Sequence, residues 1–217
     1  NYHKSADAAE ALAAEMGPRT VAVQADIRDA AAFSDMMGAI TDTLGPVTTV
    51  VPNALSDYSF NGDARETLGT MSAQAMLAQH ETAVLGALNV IQAVTPAMRA
   101  ANFGRVVTIG TNLVQNPVVP YHDYTSAKAA LLAMTRTAAA ELGPDGITVN
   151  MVSGGLLRTT DASAATPDAV FDMIAANTPL RSVTTPDEAA DAVLFFASPW
   201  ARAVTGQNLI VDGGLVF

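Results

Sequence analysis

A tyrosine and a lysine four residues apart are the side chains of this sequence best suited to proton transfer. Tyr124 and Lys128 open a segment in which Ala127 to Leu142 contains no Gly or Pro, and Gly143-Pro144 follows it. This pattern predicts a helix, on which residues four apart share one face. A tyrosine ordinarily titrates near pH 10, and a nearby cation favours its phenolate. We therefore expect Lys128 to lower the pKa of Tyr124 and make the phenol a general acid–base.

The same spacing also suits a surface pair that takes part in no chemistry. The residues around the pair must therefore decide between a catalytic and a surface role. Lysine is rare here: the chain has only Lys4 and Lys128, and its other basic residues are arginines and three histidines.

Composition limits the class of protein. Half of the 217 residues are apolar, which favours one globular α/β domain with a sizeable core. The net charge of −10 argues against nucleic-acid or anionic-membrane binding. No apolar run approaches the roughly 18 residues of a membrane span, and the polar start of the sequence does not resemble a signal peptide, so we expect a cytoplasmic protein. With no cysteine and three scattered histidines, we expect no metal site.

Short β-branched segments alternate with longer helical segments. We predict strands at Thr20–Gln24, Val47–Val51, Arg105–Ile109, Ile147–Val152 and Asn208–Val211. We predict helices at Ala6–Met16, Ala30–Leu44, Ser72–Ala100, Pro167–Ala176 and Pro186–Ala197, besides the helix that carries Tyr124. Such alternation predicts a doubly wound parallel sheet of the Rossmann type, with helices on both faces in three α/β/α layers. Ligands of such sheets bind beyond the carboxyl ends of the strands.

Polar or glycine-containing loops follow the predicted strands. Thr111 could hydrogen-bond a substrate oxygen beside the phenol, and Asp26 could accept bonds from an adenine or a ribose. Asn53 could hold a turn or approach a ribose. Gly154-Gly155 would let the backbone approach a flat ring, and Thr159 could bond an amide. Taken singly, each also fits an ordinary loop threonine, a turn aspartate or a flexible loop.

Together these elements form a recognisable set. They are Tyr124 to Lys128 as Y-x-x-x-K, Ile109-Gly110-Thr111, Asp26-Ile27, Pro52-Asn53-Ala54-Leu55 as a variant of N-N-A-G, Asn150 to Gly155 with Leu157 and Thr159, Thr205-Gly206-Gln207, and Asp212-Gly213-Gly214. In this set the sequence resembles, over its whole length, the classical short-chain dehydrogenase/reductases, particularly the bacterial 3-oxoacyl-acyl-carrier-protein reductases.

The resemblance implies an oxidoreductase that transfers a hydride between a nicotinamide cofactor and a carbonyl or secondary alcohol, in one reading a 3-oxoacyl thioester. Tyr124 would exchange a proton with the substrate oxygen, Lys128 would lower the tyrosine pKa and bind the nicotinamide ribose, and Thr111 would orient the substrate. The implied cofactor contacts are Asp26, Ile27, Asn53, Tyr124, Lys128, Leu157 and Thr159.

Several positions depart from the family pattern. Thr111 stands where the family has a catalytic serine. Its extra methyl group restricts the χ1 rotamers and therefore the directions in which the hydroxyl can point. Ala83 falls where the family has an asparagine that holds a proton-relay water, so the usual relay is in doubt. Gly154 replaces a proline, and Leu55 replaces the glycine of N-N-A-G.

The start of the sequence departs further. The family begins with a strand and a glycine-rich turn that binds pyrophosphate, and by that comparison roughly 35 residues are absent here. We therefore expect residues 1–217 to form a single, N-terminally incomplete domain whose sheet lacks the family's first strand and glycine-rich turn.

The resemblance and the sequence also suggest partners. No acidic residue lies in the segment from Asn1 to Ser5, where the family selects its cofactor, and Lys4 could pair with a phosphate, so we expect NADP(H) over NAD(H). The partners expected are a small carbonyl or alcohol substrate and further copies of the chain in a homo-oligomer. Two alternatives stay open: a degenerate, non-catalytic subunit, and another Rossmann-type enzyme such as a methyltransferase, which would leave the Tyr–Lys pair unexplained.

Overall fold

Four parallel strands form the sheet of the molecule. The structure, a computed structural model, describes residues 1–56, 58, 60 and 65–217. The strands are β1 (Thr49–Val50), β2 (Gly104–Thr111), β3 (Ile147–Gly154) and β4 (Asn208–Val211). They lie side by side in the order β1-β2-β3-β4, and every neighbouring pair is parallel. The predicted parallel α/β sheet is confirmed.

Helices connect the strands and begin where local capping signals place them. They are α1 (Ala6–Met16), α2 (Ala30–Leu44), α3 (Ala73–His80), α4 (Ala87–Ala101), α5 (His122–Leu142), α6 (Asp168–Asn177) and α7 (Pro186–Ala197). The Asp29 carboxylate accepts the first backbone N–H groups of α2, and Thr185 forms a capping box with Glu188 at the start of α7. A π-helical segment, Glu81–Gly86, joins α3 to α4, so the helix predicted at Ser72–Ala100 contains a short segment of different winding.

Both faces of the sheet are covered, so the fold has three layers. Alternate residues of a strand point to opposite faces. Val106 and Val149 pack against α4 and α5 through residues such as Met98. Val107 and Val152 pack on the other face against Phe196 of α7.

Two predicted strands are shorter than expected. Residues Thr20–Gln24 form no regular strand: Gln24 makes an isolated parallel bridge with Tyr2, and Val21 is 40% exposed. The segment is tied to residue 2 by two backbone hydrogen bonds, from Tyr2 N to Val23 O and from Ala25 N to Tyr2 O, too few for a ladder. Likewise, only Thr49–Val50 of the predicted Val47–Val51 strand pairs with β2.

The sheet register determines which loops meet at the candidate site. β2 and β3 stay in register from Gly104 opposite Ile147 to Thr111 opposite Gly154. The loops that follow these strands therefore leave the same edge of the sheet, and α5 packs across both strands. None of the helices in the described part of the chain has the length and apolar character that a membrane crossing requires.

Candidate active site

The structure brings Thr111, Tyr124 and Lys128 together. Thr111 is the last residue of β2, while Tyr124 and Lys128 lie one turn apart in the first half of α5. All three are buried, with 5 to 7% of their surface exposed. The Nζ atom of Lys128 lies 5.7 Å from the centre of the Tyr124 ring and donates a hydrogen bond of 2.7 Å to the carbonyl oxygen of Ile109. A phenol, an ammonium and a hydroxyl thus share one buried region.

Burial dominates the acidity of the phenol. Loss of water around Tyr124 raises its pKa to about 12, and hydrogen bonding with the Thr111 side chain lowers it by less. The prediction that Lys128 brings the pKa of Tyr124 below its ordinary value is therefore wrong for the molecule in this state. The reason is that desolvation penalises the phenolate, while the lysine donates its hydrogen bond to Ile109.

The pKa of Lys128 is shifted in the opposite direction, to below its ordinary value. Burial lowers the pKa of Lys128 to about 8, because the ammonium has lost its water. Near neutral pH, small changes around this residue therefore decide how much of it is charged.

The Thr111 hydroxyl is oriented by its own loop. Its Oγ1 atom accepts a hydrogen bond of 3.3 Å from Leu113 N. A hydroxyl carries one proton and two lone pairs, so its O–H remains able to donate toward the phenol or a substrate oxygen.

Aromatic rings cover the phenol. Tyr58 stacks on Tyr124 with centroids 5.1 Å apart and planes 28° apart, and Phe60 meets it edge-on at 5.3 Å and 82°. Tyr121 contacts both covering rings. Backbone bonding from Phe60 N to Ala162 O joins this cover to the loop after β3. The cover explains why the phenol is desolvated.

A buried ion pair that the sequence analysis missed holds the cover in place. Asp123 precedes Tyr124 and is 3% exposed. It accepts a bond of 2.7 Å from Arg65 Nη2 and lies 3.5 Å from the Tyr58 hydroxyl. The Arg65 guanidinium stacks over the Tyr58 ring at 4.1 Å. The one signal in the sequence was an acidic residue directly before the candidate tyrosine.

The predicted adenine contacts lie away from the Tyr–Lys pair in the chain, beside α2. The Arg28 guanidinium binds the Asp26 carboxylate with contacts of 2.6 to 3.0 Å and, as the main cause, lowers its pKa to about 2. Ile27 is buried against Gly86, where an added Cβ would lie 2.5 Å from its Cδ1. Its carbonyl oxygen accepts a hydrogen bond of 2.9 Å from Asn89 Nδ2.

The remaining predicted cofactor contacts occupy loops after β1 and β3. Asn53 and Thr159 are exposed, and in the described part of the chain neither side chain makes a hydrogen bond within the protein. Leu157 is half-buried and lies over Gly154. Among the residues that the structure describes, no hydrogen bond or ring contact joins these three residues to Tyr124.

This donor set fits a nicotinamide dinucleotide. The ammonium of Lys128 would bind ribose hydroxyls, Asn53 and Thr159 would offer polar groups at the carboxyl edge of the sheet, and Asp26 would offer a carboxylate at the border of that site. The exception is Ile27, whose side chain is part of the core.

Ala83 lies within the π-helical segment and is 6% exposed. Its methyl group offers neither donor nor acceptor, so any water at this position would depend on backbone groups.

Comparison with known proteins supports the same family. A family model described as enoyl-(acyl carrier protein) reductase matches residues 1–216. The chain is 31% identical to the 3-oxoacyl-(acyl-carrier-protein) reductase FabG of Staphylococcus epidermidis, covering 99% of this chain and 86% of that protein. It is 30% identical to the 3-oxoacyl-(acyl-carrier-protein) reductase of a Synechocystis species, covering 100% and 85%. Nodulation protein G of Azospirillum brasilense is 30% identical over 92% of this chain and 78% of its own length. The chain therefore belongs to the short-chain dehydrogenase/reductases, a family of NAD(P)-dependent oxidoreductases.

Proposed function

We propose that this protein reduces the ketone of a 3-oxoacyl thioester with NADPH, or oxidises the corresponding alcohol in reverse. The observation that carries the proposal is the buried group of Thr111, Tyr124 and Lys128 at the carboxyl end of β2. The substrate class is suggested by two relatives that are named as 3-oxoacyl-(acyl-carrier-protein) reductases.

Tyr124 is the proton donor in this scheme. With its pKa raised to about 12 by burial, the phenol is protonated at neutral pH, which is the form that a reduction needs. A nicotinamide held beside Lys128 would supply the hydride for the carbonyl carbon. The phenolic proton passes to the carbonyl oxygen, so the ketone becomes an alcohol and the tyrosine a phenolate, which regains a proton from solvent.

Lys128 and Thr111 support that transfer from two sides. When charged, Lys128 stabilises the phenolate that forms, and it offers its ammonium to the ribose of the cofactor. Thr111 donates its hydroxyl proton toward the carbonyl oxygen and so holds it beside the phenol. The aromatic cover of Tyr58 and Phe60 excludes water from the transfer.

NADP(H) is proposed over NAD(H). His3 and Arg28 place basic side chains beside Asp26, at the border where the adenine ribose is expected, and Lys4 directly follows His3 in the sequence. A 2′-phosphate carries negative charge that such a group attracts, although Arg28 already binds Asp26.

We also propose that the protein forms a homo-oligomer. Leu77, Leu85 and Leu88 are 37 to 56% exposed along the helix that runs from α3 into α4. A second copy of the chain would bury them. Sedimentation at two protein concentrations distinguishes a dimer or tetramer from a monomer.

The experiment follows NADPH absorbance with a 3-oxoacyl thioester as substrate. The parent protein should consume NADPH, and Thr111→Val, Tyr124→Phe and Lys128→Met should each lose most of the rate. A non-catalytic subunit predicts equal, negligible rates in all four proteins. The assembled hydroxyl, phenol and ammonium argue against that alternative.

A further inference from the structure

The last residues of three neighbouring strands meet at the carboxyl edge of the sheet. Thr111, Gly154 and Val211 end β2, β3 and β4, and they lie opposite one another in register. The residues that directly follow these strands are Asn112, Gly155 and Asp212, and they form a second row immediately beyond the edge.

A buried hydrogen bond spans that second row. Asn112 Nδ2 donates to Asp212 Oδ2 at 2.9 Å, and both residues are 5% exposed. The other carboxylate oxygen accepts from Gly214 N and Leu215 N, each at 3.0 Å. Three donors therefore satisfy one buried carboxylate, and bonds to a charged acceptor are stronger than neutral ones.

The loop after β3 passes directly against this pair. A Cβ atom added to Gly155 would lie 3.1 Å from Asp212 Cβ and 3.3 Å from Asn112 Nδ2. Gly155 N also donates to Val211 O at 3.4 Å. The Asn112–Asp212 pair thus fixes the ends of β2 and β4 to each other, with the start of the third loop packed against it.

Two proposed functional groups depend on these ends. Thr111 is bonded covalently to Asn112, and its Oγ1 accepts from Leu113 N just beyond. The loop that starts at Gly155 leads to Leu157 and Thr159. Any shift of Asn112 moves the hydroxyl relative to the phenol of Tyr124, which lies on a separate helix.

We propose that Asn112 and Asp212 are positioning residues: their hydrogen bond sets the Thr111 hydroxyl for the reaction without touching the substrate. This inference rests on the proposed function. The pair affects the rate of the catalytic step because it fixes the position of the Thr111 hydroxyl. This effect requires the hydrogen bond between an amide and a carboxylate, and it does not depend on which of the two positions carries the carboxylate.

Exchanging the two side chains tests this directly. N112D places a second carboxylate against Asp212, and we expect kcat to fall by about 30-fold because like charges at this distance repel. In the double variant N112D/D212N the carboxylate and the amide trade places. The amide at 212 donates to the carboxylate at 112, and its oxygen still accepts from Gly214 and Leu215. We expect kcat to return to within about fivefold of the parent.

A readout independent of turnover accompanies the kinetics. Amide hydrogen exchange at Leu113 and Gly155 should accelerate in N112D and slow again in the double variant. If N112D does not fold, N112S removes the bond without adding charge, and we expect about a fivefold loss of kcat with the same faster exchange. If the parent reduces no carbonyl, the proposed function fails, while the exchange data still test whether the pair orders the two loops.

The proposal is overturned if N112D or N112S keeps the parental kcat while its melting temperature falls, since the pair would then be purely structural. It is also overturned if the folded double variant fails to recover both kcat and exchange protection.

Discussion

The Nζ atom of Lys128 lies 5.7 Å from the centre of the Tyr124 ring, inside the same buried region. Both groups are pushed toward their neutral forms, with pKa values of about 12 for the phenol and about 8 for the ammonium. The pair therefore begins a reduction with its proton on the tyrosine. A positive charge on Lys128 stabilises the site most after that proton has left, because Tyr124 is then a negatively charged phenolate.

Replacing Lys128 should change how stability depends on pH. Because its pKa is about 8 in the folded protein and 10.5 when unfolded, the unfolded chain binds more protons between these values. The free energy of unfolding should therefore rise as pH increases from 8 to 10, by an amount on the order of 3 kcal/mol for the full shift. Above pH 10 the raised pKa of Tyr124 acts in the opposite direction. Urea denaturation from pH 7 to 10 measures this.

In Lys128→Met the rise should be missing, whereas Lys4→Met, which changes an exposed lysine, should retain it. Parallel curves for the parent and Lys128→Met would contradict a desolvated ammonium.

Thr111 should tolerate loss of its methyl group but not of its hydroxyl. Thr111→Ser keeps the donor, and we expect kcat within about threefold of the parent. Thr111→Val preserves the shape but removes the donor, and a loss of about 100-fold in kcat is expected from one missing bond to the reacting oxygen. Steady-state kinetics with a 3-oxoacyl thioester compares the two. Equal rates for the serine and valine variants would remove Thr111 from the mechanism.

Removing the charge of Asp123 should destabilise the aromatic cover. Asp123→Asn leaves the partly buried Arg65 guanidinium without its carboxylate, at a cost of about 2 kcal/mol. The Tyr58 ring, which contacts both residues, should then stack less tightly on Tyr124. Urea denaturation gives the cost, with the exposed Asp172→Asn as the matched control. Similar small losses in both variants would mean that the ion pair does not hold the cover.

Cofactor preference is tested at Lys4. Lys4→Glu adds a negative charge near the proposed 2′-phosphate, so KM for NADPH should rise by about tenfold or more while KM for NADH changes little. Lys4→Gln, which only removes the positive charge, should show a smaller rise. If the glutamate variant raises both constants equally, the basic group around Asp26 does not select the cofactor.

Local signals allowed much of the fold to be predicted. Helices α2 and α7 begin at the residues predicted from the sequence, because Asp29 and Thr185 cap them and an N-cap acts within three residues of sequence. The Tyr124–Lys128 spacing likewise placed both side chains on one helix face, and the β2 end brought Thr111 beside them.

The errors arose where the outcome depended on distant residues. Residues 20–24 have the composition of a strand, but a strand also needs a partner, and Tyr2 provides only two backbone bonds. The acidity of Tyr124 was predicted from its nearest cation, although the rings that desolvate it come from residues 58 and 60. The Arg65–Asp123 ion pair joins residues 58 positions apart, a separation that no local pattern reveals.

The central claim is that the buried Tyr124 phenol delivers the proton in a nicotinamide-dependent reduction. NADPH oxidation with a 3-oxoacyl thioester, measured for the parent, Tyr124→Phe and the control Tyr2→Phe, tests it most directly. The account predicts turnover by the parent and Tyr2→Phe, and a loss of about 1,000-fold in kcat for Tyr124→Phe with NADPH binding retained. Undiminished turnover by Tyr124→Phe would contradict the account.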